Sequence, residues 1–410
     1  MAQARVALGG RSEDVRRGNL ASVLRHVHVH GPTPRSVLTA HLALNRSTIG
    51  DLTAELAAAG LVREVVGQGA SVNRSPVGRT GRPSHLVVPE SDMVQVLAID
   101  IGVTHLTAAR MGLGGPLLSR RDVRLRQRRR ALTRLVHSAA ELAAKLIAEL
   151  PAGAVVVGAG IAVPGVVRAS DGLVRQAPNL DWTDVPLGAA LSSELSLPVS
   201  VGNDADLGAL AEHIRGAAVD SSDVVHLVGY SGIGAGIFTS GRPLVGRRGY
   251  AGEVGHVVVD PGGRPCHCGS RGCWETVIGE ERLFELAGRP PGGGLTEVRQ
   301  VVAAAGEGEP RARAAVEEVA RWLGVGAGAL VNVFNPEVVI FGGTLAEVFT
   351  AAADIVRESV AAVALAPALD GVRLVTPAFG ADSTLIGAGE LAFAPLLADP
   401  LRETFRRDAS

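Results

Sequence analysis

The chain has 410 residues, 47% hydrophobic and 20% charged, which excludes wholesale disorder and suits two to four domains at roughly 100–200 residues each. Its formal net charge of −1 excludes indiscriminate electrostatic binding to nucleic acid by the molecule as a whole. The charge is nevertheless uneven: residues 1–90 hold 11 Arg, no Lys and six acidic residues, a net of +5, so the remainder carries −6. A basic front on an acidic body points to a nucleic-acid module joined to something else.

The front reads as three helices. Asp14 can cap the first, which runs to about His30 and places Leu20, Val23, Leu24 and Val27 on one face. Gly31-Pro32 ends it. His26, His28 and His30 alternate near that end. A polar helix terminus is the plain reading, although His26 and His30, four apart, have the spacing to share a metal. A second helix is expected from about Pro34 to His41, and a third after Asn45, a capping residue. Ile49, Leu52 and Leu56 mark its buried face and leave Arg46, Ser47 and Thr48 on the exposed first turn. A DNA-reading helix presents such residues to base edges in the major groove. Two strands follow, near Leu61-Val62 and His85–Val88, around Val77-Gly78-Arg79-Thr80-Gly81-Arg82-Pro83. That segment reads as the wing of a winged helix-turn-helix, with Arg79 and Arg82 suited to a narrow minor groove. The alternative is a small helical interaction domain with an exposed loop.

Residues 91–93 read as a linker, and the body begins with an apolar strand ending in Asp100. Gly102 and Thr104 follow, a turn that lets backbone and hydroxyl approach a metal-bound phosphate. Arg120 to Arg134 is Arg-rich and reads as a solvated linker or helix start, with phosphate-backbone contact the alternative. The strand Val199–Val201 leads into Asn203 and Asp204. Asp204 can bind a sugar hydroxyl or take its proton during phosphoryl transfer, and it can also cap the helix that follows. A second Gly-rich turn, Ser231-Gly232-Ile233-Gly234, follows the strand Val224–Val228. Two such turns suggest two halves closing on a nucleotide or sugar phosphate, whereas a plain hairpin is the bland reading.

All three Cys lie between residues 266 and 273. They are too few for a disulfide framework and too close for chance, and they read as a metal site in a reducing compartment. Cys266, Cys268 and Cys273 with His256 as fourth ligand make a closed Cys3His set, the donor set of structural zinc. His267, wedged between two ligating Cys, is poorly placed to join it. No basic start followed by an apolar stretch marks a leader. The longest apolar run, Ala154 to Val167, is broken by Gly and Pro and too short to span a bilayer. The expectation is a cytoplasmic protein with no membrane partner.

Five ordered motifs now stand together: Asp100-x-Gly-x-Thr104, Asn203-Asp204, Ser231-Gly232-Ile233-Gly234, Glu253-x-Gly-His256, and Cys266-x-Cys-Gly-x-x-Gly-Cys273-x-Glu275. Over about residues 94–400 the chain resembles the ROK family of bacterial sugar kinases and sugar-responsive repressors, and its front resembles the repressor branch. The resemblance implies an α/β, actin-like (ribonuclease H-like) two-lobe body behind an N-terminal winged helix-turn-helix at 1–90. The first lobe would be 91–205, completed by a C-terminal helix at about 380–400. The second would be 206–379, carrying the zinc loop and a dimer surface. By motif match Asn179, Asn203, Asp204, Glu253, His256 and Glu275 would line a sugar site. Gly342 and Gly343 would lie beside the adenosine of a nucleotide. Trp182 is either a stacking surface or core.

The first phosphate loop departs from the family's kinases. Val103 stands where a second Gly is usual and His105 where Lys is usual, and Tyr230-Ser231 replaces Gly-Thr in the second loop. Branched bulk against phosphate and loss of a fixed charge argue against ATP and Mg2+ binding; the ordinary His pKa of about 6.5 leaves His105 mostly neutral at pH 7. The expectation is a sugar-responsive repressor of carbohydrate genes. It would bind double-stranded operator DNA and a sugar or sugar phosphate as a homodimer or homotetramer. The alternatives are a sugar kinase with an accessory DNA module, using Asp204 as base, and a repressor governed by protein partners.

Overall fold

A computed structural model describes residues 2–66, 85–125, 132–230 and 232–402. The expected wing with Arg79 and Arg82, the run Arg128-Arg129-Arg130, and Ser231 lie outside the described residues.

Helix α1 (Ala2–His30) is longer than the sequence suggested. Asp14 lies inside it, since the preceding Ala2, Ala4 and Ala7 favour helix. Helices α2 (Arg35–Leu42) and α3 (Arg46–Ala58) follow. The Asn45 side chain accepts the Thr48 amide at 2.8 Å and so caps α3. Strands β1 (Thr33–Pro34), β2 (Val62–Val66) and β3 (His85–Pro89) form a sheet in the order β1-β3-β2. Leu20, Val23, Leu24, Val27, Leu38, Ile49, Leu52 and Leu56 are buried between helices and sheet, each contributing about 1.5–3 kcal/mol.

This core does not stop at residue 90. It runs on through Val94, Val96, Met111, Leu113, Phe393 and Leu397. Residues 91–93 are therefore a packed turn and not a free linker: Ser91 Oγ donates to the Leu113 carbonyl at 2.6 Å. Apolar side chains on both sides of the expected boundary share one interface, and a loose connection would leave them wet.

The body holds two five-stranded sheets. The first is β4 (Val94–Ile101), β5 (His105–Gly112), β6 (Leu117–Arg124), β7 (Val155–Val163) and, after the small meander β8 (Val166–Arg168), β9 (Leu173–Ala177) and β10 (Trp182–Val185), β11 (Val199–Asn203). Its order is β11-β7-β4-β5-β6, with β11 and β4 each parallel to β7. Helices α4 (Leu132–Ile147) and α5 (Leu187–Leu195) pack with it. Trp182 is buried in that core, which settles it as packing and not a stacking surface. On the edge strand β6, Arg120 pairs with Asp122 and Asp382, and Arg121 with Glu149.

The second sheet has the order β14-β13-β12-β15-β16: β12 (Val224–Gly229), β13 (Ile233–Thr239), β14 (Arg242–Pro243), β15 (Val338–Gly343) and β16 (Arg373–Val375). The long helix Pro310–Phe334 and its neighbours cover it. Between the sheets runs α6 (Asp204–Arg215), packed on β12 and β13 on one side and on the C-terminal helix Ser383–Ala398 on the other. Ser383–Ala398 also packs on β4 and β7 of the first sheet. Among the described residues no helix is long and apolar enough to cross a membrane.

Candidate functional site

A cleft of about 1100 Å3 opens between the two sheets. All six residues expected to line a sugar site do line it: Asn179, Asn203, Asp204, Glu253, His256 and Glu275. Asn179 comes from a short turn, Pro178–Leu180, attached to the first sheet. Glu253 and His256 come from the loop region after β14, and Glu275 opens the short helix Glu275–Ile278. A Cβ placed on Gly232 would lie 3.6 Å from Glu275 Oε2 and 3.8 Å from Asn179 Nδ2, so groups from both sides converge on that glycine.

Asn203, not Asp204, is the cap of α6. Its Oδ1 accepts the amides of Ala205 at 2.8 Å and Asp206 at 3.1 Å, and its Nδ2 donates to the Gly165 carbonyl at 2.9 Å. Asp204 Oδ1 also accepts the Ala205 amide, at 2.9 Å, and the Asp204 side chain lines the cleft. Burial pushes the Asp204 pKa up to about 6, and the nearby Asp100 adds to the shift. Asp206, which sequence reading passed over, also lines the cleft; it keeps contact with solvent, and partial enclosure together with Asp204 and Glu253 raises its pKa. Burial raises Glu253 as well, and Glu275 reinforces it. Several carboxylates facing one partly dry cleft suit a neutral ligand rich in hydroxyl donors.

Glu253 is held by close backbone packing. Gly252 has φ of +96°, and a Cβ there would stand 2.8 Å from the Ala235 carbonyl oxygen; one on Gly255 would stand 2.5 Å from that of Ile233. Both glycines let the loop lie directly on β13.

Beside this loop, ligand atoms of His256, Cys266, Cys268 and Cys273 all lie within 4.8 Å of one another. Cys273 is fully buried, and Val258 bridges to it across the hairpin. Three sulfur donors and one imidazole fit the donor set of zinc. His256, His267 and Glu275 form a second, overlapping set. His267 Nδ1 meets Glu275 Oε1 at 3.1 Å, so this ring reaches the carboxylate and not the thiols. Glu275 follows Cys273 by two residues, which ties the metal-type hairpin to the cleft.

The expected phosphate-loop residues are more dispersed. Gly232 and Gly234 line the cleft, whereas Asp100, Gly102, Thr104, Gly342 and Gly343 do not. His105 is not the spare neutral ring expected from sequence. Its Nε2 bonds Asp100 Oδ2 at 3.0 Å, and that bond raises its pKa. The ring lies against Gly102, where an added Cβ would come within 2.1 Å of it. Asp100, the carboxylate suited to a metal-bound phosphate, is thus already engaged. Tyr230 lines the cleft and packs beside Gly343, and burial raises its pKa to about 12.

The far end of α6 carries a feature without a sequence motif. Arg215 donates from Nη2 to the His28 carbonyl at 2.9 Å and from Nη1 to those of Gly114 at 3.1 Å and Val29 at 3.3 Å. Its Nε donates to Glu390 Oε1 at 2.6 Å. Glu390 Oε2 lies 2.9 Å from His28 Nε2. The Gly114 amide donates to His28 Nδ1 at 2.9 Å, which puts the ring proton on Nε2, facing Glu390. One helix therefore begins at a cleft carboxylate and ends by gripping the C-terminal turn of α1. Over 12 residues it spans ~18 Å.

The described helices and strands of the front fit a winged-helix unit, and the two-lobed body with its carboxylate-lined cleft has an actin-like sugar-kinase fold. Residues 96–394 match the ROK family, and the chain belongs to it. It is 32% identical to the xylose repressor of Caldicellulosiruptor bescii over 322 residues, 75% of this chain and 78% of that protein. It is 29% identical to a glucokinase of Halalkalibacterium halodurans, with 72% of this chain and 94% of the kinase aligned. A solved ROK family transcriptional regulator, a homologue of the Escherichia coli MLC protein, superposes with a TM-score of 0.79 at 27% identity. That match covers 96% of this chain and all of the regulator.

Proposed function

We propose that this protein is a sugar-responsive transcriptional repressor in which the cleft binds the sugar and α6 carries the response to a DNA-binding front. The observation that supports this most is the extent of likeness. By superposition a solved ROK glucokinase covers 73% of this chain, whereas the regulator covers 96%. In this reading Arg46, Ser47 and Thr48 meet base edges, and Arg79 and Arg82 act from the wing. Arg46 and Ser47 are exposed on the first turn of α3, which favours the assignment. Arg46→Ala is expected to cost about 1–3 kcal/mol in operator affinity. Fluorescence anisotropy on a duplex selected by the protein from random sequence measures it, and an unchanged affinity rejects that helix face.

Asn179, Asp204, Glu253, His256 and Glu275 take the sugar hydroxyls, with Asn203 holding the turn and its remaining amide hydrogen facing the ligand. The Cys3His set holds a structural zinc that fixes the loop bearing Glu253 and Glu275. A family whose relatives are named for xylose and glucose directs the search to pentoses and hexoses. The chain works in the cytoplasm as a homodimer or homotetramer, and lobe closure alters the spacing of paired fronts against half-sites.

Because Asp204 titrates at about 6, the ionised acceptor is abundant at pH 7 and scarce at pH 5. Sugar affinity is expected to fall roughly tenfold between those values. Calorimetry at both pH values checks this, and a flat or rising affinity removes Asp204 as an ionised acceptor.

The kinase reading keeps two supports, the intact Asp204 and the second Gly-rich turn, whose Gly232 and Gly234 line the cleft; against it stand His105 on Asp100 and Tyr230 beside Gly343. ADP release from ATP over a sugar panel, with Asp204→Asn as control, separates the two. Turnover that the variant abolishes establishes the kinase; absence of turnover together with calorimetric sugar binding supports the sensor.

A further inference from the structure

The front unit contains a cluster of imidazoles that neither the cleft nor the DNA-reading helix uses. His26 and His30 stand one turn apart on α1, and His41 stands in the last turn of α2. The ring centroids of His26 lie 4.4 Å from those of His30 and 4.5 Å from those of His41, and His30 and His41 are 6.4 Å apart. Among the described residues none of the three makes a hydrogen bond or ion pair, and His26 Nδ1 is buried without any partner. A buried ring nitrogen left unpaired costs free energy that a ligand would recover. Stacking alone gives little reason for two surface histidines to gather around a third.

We propose that His26, His30 and His41 form a second metal site, for zinc or a similar divalent transition ion, separate from the Cys3His set. Imidazole nitrogens suit such ions, which they bind at ~2.0–2.1 Å in tetrahedral geometry. With 6.4 Å between the His30 and His41 rings, the side chains of these two exposed residues must rotate for all three to meet one ion. Three protein donors leave a fourth position for water. The ion would tie α1 to α2, and α2 leads directly into α3, so occupancy would stiffen the unit that presents Arg46.

The test is zinc stoichiometry of the full chain after equilibrium dialysis, alongside His30→Gln/His41→Gln, two surface changes that leave the core intact. Two ions per wild-type chain and one in the double variant are expected, with the second ion bound at least ~100-fold more weakly in a single His41→Gln variant. Cobalt substitution distinguishes the sites. The first equivalent brings thiolate-to-cobalt charge transfer from the Cys3His set, and the second adds cobalt without adding that band. A single equivalent in the wild type, or a second that persists in the double variant, overturns the proposal.

Discussion

Glu390→Ala is expected to lower folding stability by about 3–5 kcal/mol, although the residue does not itself line the cleft. Its side chain is 2% exposed, that of His28 is fully buried, and that of Arg215 is 13% exposed. Truncation leaves the Arg215 cation without its carboxylate and the His28 N–H without an acceptor. Removing one partner of a buried ionic network costs far more than the network contributes net, because the survivor stays buried and unpaired. Burial pushes the Glu390 pKa up, but His28 and Arg215 outweigh it and hold the carboxyl below its ordinary value of 4.5. A depressed folded-state pKa gives stability that is complete above the unfolded-state value and lost as pH falls through the folded-state one. The wild type should therefore weaken below about pH 4.5 more steeply than the variant. Urea unfolding across pH measures both effects, and a loss under about 1 kcal/mol at neutral pH would show that this junction does not fasten the front to the body. Arg215→Ala should also blunt any sugar response of DNA binding, since it cuts the end of α6 from the carbonyls of His28 and Val29.

The second large effect is expected at Cys273. Cys273→Ser removes a fully buried donor from the Cys3His set. Structural zinc in small domains contributes about 10–16 kcal/mol of apparent binding free energy, so on the proposed zinc assignment the hairpin from His256 to Cys273 should lose its order with the metal. Each lobe keeps its own apolar core, and the chain should remain folded. The loss falls on the cleft, because Glu253, His256 and Glu275 flank the hairpin. Fixing three residues at about 1–2 kcal/mol each makes the proposed sugar site at least ~3 kcal/mol poorer, roughly a hundredfold in affinity. Metal analysis with calorimetry reads both. Loss of zinc with unchanged sugar affinity would detach the hairpin from the site.

Much of this was legible before any coordinates. The Asn45 cap, the Ile49, Leu52 and Leu56 face and the strands that carry Asp100 and Asn203 at their C-terminal ends follow from local pattern, and local pattern is what short elements obey. The cleft residues were legible for another reason, since five spaced motifs identify a family whose fold gathers them. What sequence did not disclose depends on contacts between distant segments. Glu390 and Arg215 are ordinary charged residues on helices, and nothing nearby in sequence marks their meeting with His28 362 and 187 positions away. The packed turn at 91–93 looked like a linker because its polarity reports solvation of the turn and not the apolar interface beneath it. That Asn203 and not Asp204 is the N-cap of α6 is a one-residue matter that pattern does not resolve. His105 likewise changed meaning once its bond to Asp100 was visible.

The central claim is that ligand in the cleft changes the affinity of the front for DNA through α6. The most direct measurement is the affinity of the full chain for a self-selected duplex, with and without a saturating sugar that calorimetry has shown to bind. The account predicts at least a tenfold change in the wild type and none in Asp204→Asn at the same sugar concentration. A sugar that binds the cleft tightly while leaving wild-type DNA affinity unchanged would contradict it.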